Sequence, residues 1–504
     1  MAASSLTLDL PETPHLRAVR VGKAATARDL ARLDAIIVVS ARAKRAQLAS
    51  LPFADELRRS LKRRPLEPNA IRTLRLAGRA GTICAYAEAK PAAGMFERLQ
   101  LAGRLGAAID ESAPRRIGVV SLEADPDAAR SLEAMVAALW ARAYRLPRFK
   151  GKSAPGAERV EVRVFGTSSI DLARLAIEAR GNGLARWLTA QPANILTPAS
   201  YRRAIAGLAR RHGWRMRFLG RAALERLGAG AFLAVTQAHD AEGGVVHLSY
   251  RPKRSGRTPA VALVGKGVCF DTGGINLKPH RSMLDMHTDM GGSAVALAVL
   301  EALTALEAPF GADAWLALAE NQIGPRAYKP QDVVRAANGT TIQVIHSDAE
   351  GRMLLADTLA LAGRTRPKLI LDFATLTGAC VAALSERYSG AFTNRPALRS
   401  VIEGAGVASG ERVWTFPMDE DFDSDLESRI ADVLQCAVDA RADHILAARF
   451  LKRFVPDDIA WAHVDLAASE RKGGLGHVTT DITGFGVRFA LNLLIESGVL
   501  DALR

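Results

Sequence analysis

The sequence predicts an α/β protein. A C-terminal domain is expected to hold a central, mostly parallel or mixed sheet flanked by helices, and a smaller α/β domain precedes it. Three observations carry this prediction. Short β-branched apolar runs alternate along the chain with segments of helical periodicity, the order that builds helix-covered parallel sheets. A polar stretch rich in Pro and Gly, Pro147-Arg-Phe-Lys-Gly-Lys-Ser-Ala-Pro-Gly156, interrupts the alternation as linkers do. A length of 504 residues gives ample chain for two or three domains with a large core. The expected division is 1–150 for the N-terminal domain, 151–159 for the linker and 160–504 for the C-terminal domain.

In chain order, Leu33–Ser40 and Arg116–Leu122 are β-branched apolar runs typical of buried strands. Asp125–Arg145 places Ala129, Leu132, Met135, Val136 and Leu139 at helical spacing behind an Asp-Pro-Asp start. This half contains no clustered carboxylates, histidines or cysteines, so it is expected to be non-catalytic. Val160–Phe165 reads as the strand that opens the second domain, and Ile170–Leu188 as a helix. Gln191–Pro198 is a turn-rich loop, and Val245–Tyr250 and Pro259–Val264 are strands. Ala294–Leu306 follows as a helix. Gly473–Val487 reads as a surface loop leading to a last helix, Val487–Leu493. The sequence contains neither internal repeats nor low-complexity tracts.

Composition narrows the function. Hydrophobic residues make up 49% and charged residues 24%, the balance of a globular protein. No run approaches the roughly 18–20 apolar residues of a membrane span. The start, Met-Ala-Ala-Ser-Ser-Leu-Thr-Leu-Asp-Leu-Pro-Glu, lacks the features of a signal peptide. Cys84, Cys269, Cys380 and Cys436 are scattered and form no C-x-x-C pair, which fits reduced thiols in a cytoplasm. The expectation is a cytoplasmic protein with no membrane partner. A net charge of +14 invites a nucleic-acid reading. However, the arginines are spread along the chain, with denser pieces at Arg58–Arg64 and Arg142–Lys152. No zinc finger, RNA-recognition aromatic set or basic tail accompanies them. DNA is therefore expected at most as a secondary partner.

Chemistry concentrates in two stretches. Thr341–Ile345 reads as a strand, and from Arg352 the apolar residues Met353, Ala356, Leu359 and Ala360 fall at helical spacing. Between them lies Asp348-Ala-Glu-Gly-Arg352. Taken alone it is a capped turn with a solvated ion pair. At a strand end and helix start, its carboxylates could equally share cations. The second stretch is Val264-Gly-Lys-Gly-Val-Cys-Phe-Asp-Thr-Gly-Gly-Ile-Asn-Leu-Lys278, followed by Asp285-Met-His-Thr-Asp-Met-Gly-Gly292. Lys266 sits between glycines at the end of an apolar strand, where full solvation is hard to reach. Asp271 lies in a Gly-rich turn, and Asp289 precedes a helix. An isolated Asp-Thr-Gly is usually a turn, and glycine pairs before helices usually serve packing. In combination, Asp271, Asp289, Asp348 and Glu350 make an oxygen-rich site suited to two metals.

These stretches resemble the leucine aminopeptidase (cytosol aminopeptidase) family of dinuclear metallopeptidases. The family signature Asn-Thr-Asp-Ala-Glu-Gly-Arg-Leu stands here as His346-Ser-Asp-Ala-Glu-Gly-Arg-Met353. Residues 264–274, 289–292, Glu320-Asn321, 374–379, Phe450-Leu451 and Trp461-Ala-His-Val-Asp465 also match family blocks. The resemblance covers residues from about 160 to 465, and the N-terminal half only loosely. It implies that Lys266, Asp271, Asp289 and Glu350 hold one divalent ion, and that Asp271, Asp348 and Glu350 hold a second. The ions would be Mn²⁺ or Zn²⁺, with Asp271 and Glu350 bridging. A ligating Lys266 must be neutral, so its pKa is expected to fall. The resemblance further implies a metal-bridged hydroxide as nucleophile and Lys278 as the electrophile on the scissile carbonyl. Arg352 would anchor a bicarbonate base, cradled by backbone near Leu376 and Gly378. It also implies a homohexamer acting on peptides with a free N-terminus.

Departures from the family pattern set further expectations. His346 and Ser347 replace Asn and Thr beside the ligands and are expected to act indirectly. His287, near Asp289, needs no role beyond a solvated helix entry. Met286 and Thr375 match positions that line the pocket for the N-terminal side chain. The family's Gly-Gly-Ala-Ile-Thr-Ala-Ala falls within Arg441-Ala-Asp-His-Ile-Leu-Ala-Ala448, so His444 joins this pocket and leaves the residue preference undefined. Rival chemistries are separable. An aspartic protease needs a second Asp-Thr-Gly or Asp-Ser-Gly, and the sequence has none. A dinuclear phosphoesterase would cleave a phosphate ester in preference to an amino-acyl amide. A DNA-binding role on the same scaffold would show salt-dependent DNA retention.

Overall fold

The computed structural model describes residues 7–503 apart from 42–44, 68–69, 78–80, 151–158, 239–241, 254 and 440. Strands β1 (Leu16–Arg20), β2 (Ala35–Ala41), β3 (Arg72–Arg75), β4 (Ile83–Ala89), β5 (Arg116–Ser121) and β6 (Val160–Phe165) form a six-stranded sheet in the order β1-β6-β5-β2-β4-β3. All its pairs are parallel except β3 with β4. Period-two alternation explains the unbroken apolar run of β2. Ala35, Ile37 and Val39 enter the core on one face, and Ile36 and Val38 the core on the other. The predicted helix at 125–145 runs over Asp127–Ala143.

One strand falls elsewhere than the sequence suggests. β6, expected to open the C-terminal domain, pairs in parallel with both β1 and β5 of the first sheet. Pro/Gly-rich polar composition marks a loop, and a loop inside a sheet crossover carries the same signal as one between domains. Residues 151–158 of the expected linker lie outside the described residues. The helix Leu172–Thr189, capped by Asp171, then leads away from this sheet.

The remaining strands are β7 (Arg215–Leu219), β8 (Gly244–Tyr250), β9 (Val261–Asp271), β10 (Ala312–Asn321), β11 (Val333–Arg335), β12 (Thr341–Gln343), β13 (Leu369–Ala374), β14 (Ser389–Thr393), β15 (Val413–Thr415), β16 (Val433–Leu434) and β17 (Ala460–Asp465). Eight of them form a sheet in the order β15-β14-β17-β13-β9-β10-β8-β7. Its centre, β17-β13-β9-β10, is parallel, and β14, β8 and β7 join antiparallel to their inner neighbours, so the sheet is mixed. Along β9, Val261 and Leu263 pack into the core containing the helix Gly291–Ala305. Ala262 and Val264 pack into the opposite core with the helix Glu350–Gly363. Helices therefore cover both faces, as the apolar strands require.

Strand β12 belongs instead to a separate three-stranded sheet, β11-β12-β16, and ends at Gln343 rather than Ile345. The Val344 N–H still donates to the Asp332 carbonyl at 2.8 Å, but those of Ile345 and His346 donate to Gln435 Oε1 at 3.0 Å each, so from there a side chain replaces the ladder. β9 is longer than predicted and carries Lys266 in mid-strand with Asp271 as its last residue. Its glycine permits this. A Cβ on Gly265 would lie 2.5 Å from Ser293 Cα, and one on Gly292 would lie 2.1 Å from the Phe373 carbonyl oxygen. Helix Gly291–Ala305 thus rests directly on β9 and β13.

The segment at 473–487 is not a simple surface loop. Asn182 Nδ2 donates to the carbonyls of Thr483 (2.9 Å) and Gly484 (3.2 Å), and Arg186 Nη2 donates to Thr480 Oγ1 (2.8 Å). A Cβ on Gly103, in the helix Met95–Ala107, would lie 3.0 Å from both Gly476 O and His477 Cα. Burial pushes the His477 imidazole down to about 3. The segment fills the seam between the two sheets' helices. Gly and Thr at its bends gave it a loop's composition without revealing what it packs against. The helix expected to be the last spans Val487–Leu491 and continues as a wider turn over Asn492–Glu496, but a short helix, Val499–Ala502, follows it.

Candidate metal centre

The functional side chains converge at the carboxyl ends of the central parallel strands, where open α/β sheets form their clefts. After Asp271 the chain turns through Gly273 (φ +86°) and Gly274 (φ +66°). This turn is closed by the Lys278 N–H donating to the Thr272 carbonyl at 2.9 Å, which returns Lys278 to the strand end. Asp289 lies between the short turn Met286–Thr288 and the helix Gly291–Ala305. Asp348 is in the loop after β12, and Glu350 is the first residue of its helix. Thr375 and Leu376 follow directly on β13.

Asp271, Asp348 and Glu350 each offer a carboxylate oxygen within 4.8 Å of the others. Lys278 Nζ lies 2.9 Å from Asp271 Oδ2 and 2.5 Å from Asp348 Oδ1. Lys266 Nζ lies 2.7 Å from Asp289 Oδ1 and 2.9 Å from Glu350 Oε1, and donates to the Thr375 carbonyl at 2.9 Å. The structure thus brings together all six predicted carboxylates and lysines. Asp271 Oδ1 is fixed by the Gly273 N–H and by Asn321 Nδ2, each at 2.8 Å. Thr375 Oγ1 donates to Asp289 Oδ1 at 2.8 Å. Asp289 Oδ2 is buried with no hydrogen-bond partner among the described residues.

Crowding of buried like charges shows in the acidities. Burial, then Asp271, outweigh the attraction of Lys266 and push Glu350 up to about 8. Burial likewise raises Asp289 to about 6 against the pull of Lys266. For Lys266 itself, burial favours the neutral form, but Asp289, Glu350 and Asp271 together outweigh it and hold the ammonium charged. The expected fall in its pKa is therefore not met: the three surrounding carboxylates outweigh burial of the ammonium. Four carboxylates against two ammonium groups, with one buried oxygen unpaired, form a donor set that accepts hard divalent cations. The residues fit a metal.

A cleft of about 590 Å³ opens over this cluster, and Met286, Thr375, Leu376 and Gly378 line it as expected. His444 does not line it. Its ring lies edge-on to Phe416 at 4.4 Å, inside the core. Asp443 lines the cleft instead. Both belong to the helix Asp443–Lys452, where successive side chains diverge by about 100°, so they cannot share a direction. Arg352 is buried in the cleft wall, with Nη2 2.7 Å from Asp443 Oδ2 and Nη1 3.4 Å from the Gln435 carbonyl. The position where the resemblance would seat a bicarbonate therefore already faces a carboxylate.

Sequence reading passed over Asp443, Asn321 as a holder of Asp271, and Asp465. The last accepts from the Leu376 N–H (3.0 Å) and Thr377 Oγ1 (2.7 Å) and so fixes the cleft wall after β13. Asp443 adjoined the noticed His444, and Asn321 and Asp465 sat inside blocks already quoted. Ser347 stands beside the cluster, its Oγ donating to the Gly273 carbonyl at 2.7 Å. His346 Nδ1 accepts the Asp348 N–H at 3.2 Å. His287 lies outside the cluster and the cleft lining.

Fold and site together define an α/β protein with a cluster of carboxylates and lysines, suited to metal, at the ends of parallel strands. The sequence model described as "Cytosol aminopeptidase family, catalytic domain" matches residues 183–491. The chain belongs to the cytosol aminopeptidase family. A "Probable cytosol aminopeptidase" of Synechococcus sp. (strain JA-3-3Ab) is 37% identical over 439 residues, covering 84% of this chain and 85% of the relative. Its namesake from Rhodopseudomonas palustris (strain BisB18) is 38% identical over 376 residues, covering 72% and 74%. Among solved structures, a tomato leucine aminopeptidase mutant superposes with a TM-score of 0.83 at 26% identity, covering 97% of each chain. The bottromycin maturation enzyme BotP in complex with Mn superposes at 0.79 and 29% identity, covering 93% of this chain and 99% of that one. The chain is accordingly a hydrolase of a metal-dependent aminopeptidase family.

Proposed function

We propose that this aminopeptidase removes N-terminal residues from peptides with a free amino terminus, using two divalent ions, Mn²⁺ or Zn²⁺. Lys266, Asp271, Asp289, Asp348 and Glu350 would hold them. The supporting observation is the meeting of these side chains in one buried cluster, with three carboxylates within 4.8 Å and Asp289 Oδ2 lacking a partner. Two divalent ions on such a set supply Lewis acidity toward a carbonyl and a nucleophile at neutral pH. The chain's own residues supply the rest. Lys278, raised in pKa because Asp271 and Asp348 outweigh its burial, stays cationic and faces the developing oxyanion. A free, unprotonated α-amino group would be held by one such ion where an acylated one could not, which fits removal of terminal residues only. Arg352 supplies positive charge at the cleft wall. Six copies would assemble, as the family resemblance implies.

The test is release of the N-terminal residue from leucyl amides and short peptides by metal-stripped protein, with Mn²⁺, Zn²⁺ or Mg²⁺ restored. N-acetylated substrate and Glu350→Ala protein serve as controls. Cleavage that needs metal and is lost with either control is expected, together with two bound ions per chain by elemental analysis. No turnover on a broad amino-acyl panel by protein carrying two ions would overturn the proposal.

A further inference from the structure

Arg352 and Asp443 point to a role that the metal cluster does not use. Arg352 is buried, with 2% of the residue exposed, and its Nη2 holds Asp443 Oδ2 at 2.7 Å. The two come from different elements, the helix Glu350–Gly363 and the helix Asp443–Lys452, and meet in the wall of the same cleft. Asp443 keeps 24% of its side chain exposed there.

Of the other carboxylates that line the cleft, Glu470 is hydrogen-bonded by Thr288 and Glu386 has no arginine or lysine partner among the described residues to orient it, while those of the cluster and of the wall after β13 are engaged. Asp271, Asp289, Asp348 and Glu350 are tied to Lys266 or Lys278, and Asp465 is held by the Leu376 N–H and Thr377 Oγ1. Asp443 is paired with an arginine, which does not surrender its proton and so orients a carboxylate without neutralising it. Its Oδ1 has no hydrogen-bond partner among the described residues. His346, the one histidine lining the cleft among the described residues, already accepts a backbone N–H through Nδ1. A dissolved anion seated on Arg352 would meet the Asp443 charge at close range, and like charges at that separation repel strongly in a buried site.

We propose that Asp443, held by Arg352, accepts the proton of the attacking water and passes it to the departing amine, so that hydrolysis needs no dissolved bicarbonate. The water oxygen bonds to the scissile carbonyl carbon while one of its protons moves to Asp443. The C–N bond then breaks, and that proton goes to the amine nitrogen, returning Asp443 to the carboxylate. This rests on the aminopeptidase reading of the same cleft, and wild-type turnover of leucyl amide establishes that reading before the variants are compared.

The experiment uses Mn²⁺-loaded protein in buffer freed of carbon dioxide, with bicarbonate or formate then added. Wild type should be indifferent to both anions. Asp443→Gly, which removes the base and opens its space, should lose about 100-fold in kcat and regain much of it, saturably, with either anion. Asp443→Asn, which fills the space with no base, should lose as much and regain nothing. Titration of ¹³C-bicarbonate followed by NMR should show saturable binding to Asp443→Gly and none to wild type, a readout independent of turnover. Wild-type activity that rises several-fold with bicarbonate would overturn the proposal whether or not the variants fold. So would an Asp443→Gly protein, folded by circular dichroism and carrying its metals, that keeps full activity without an anion or is restored by neither.

Discussion

The Lys278 ammonium stands between Asp271 and Asp348, so its position depends on those two carboxylates. Removing the charge while keeping the length separates its role from theirs. Lys278→Gln should lower kcat by roughly 10²–10³, the worth of one oxyanion donor, and leave KM and bound metal nearly unchanged. Equal loss of metal would assign Lys278 to the ligand set instead. At this scale the sequence was most informative, because ligand residues must be specific types at fixed spacing. Lys266, Asp271, Asp289, Asp348 and Glu350 lie together in one cluster, with Lys278 between two of them. What stayed hidden was direction. His444 and Asp443 are neighbours in sequence, and only the helix's rotation decides which of them faces the cleft.

Elements hold the site by contact too close for any side chain. A Cβ on Gly292 would lie 2.1 Å from the Phe373 carbonyl oxygen, so Gly292→Ala must lift the helix Gly291–Ala305 off β13. A cost of about 3 kcal/mol is expected, at the upper end for overpacking, read as a lower melting temperature. Metal affinity should weaken as well, since Asp289 enters that helix. An unchanged melting temperature would show that the backbone yields freely there. The helix Val487–Leu491 offers a second test. Glu411 Oε2 accepts the N–H groups of Gly486 (2.9 Å) and Phe489 (2.7 Å), and burial raises its pKa to about 7. The folded protein thus holds a proton that the unfolded chain releases from about pH 4.5. Its stabilising share is complete below that pH and is lost as pH rises through 7. Glu411→Gln can keep both bonds through its amide oxygen. It should flatten that part of the stability curve, by on the order of 2–3 kcal/mol between pH 4.5 and 7; a variant curve parallel to wild type would refute the assignment. The strands and helices themselves were legible from periodicity. Their partners were less so, since β6 and β12 carry ordinary strand patterns that do not say which sheet they join.

On the scale of the whole molecule, bound metal and folding should be linked. Cations that bind only the folded cluster stabilise it by mass action. Metal-stripped protein is therefore expected to melt several degrees lower, with the difference abolished in Glu350→Ala; equal melting of both forms would argue against a buried metal centre. Light scattering on the metal-loaded protein should return six times the chain mass of 53.9 kDa. A monomer at micromolar concentration would remove the hexamer. The seam between the two sheets has a consequence for biosynthesis. The surfaces that Asn182, Arg186 and Gly103 present are covered by Gly476–Gly484, which the ribosome adds some 300 to 380 positions later. N-terminal units generally fold as they emerge. The first domain therefore waits with an open flank for several hundred further residues of synthesis, and its docking can only follow them.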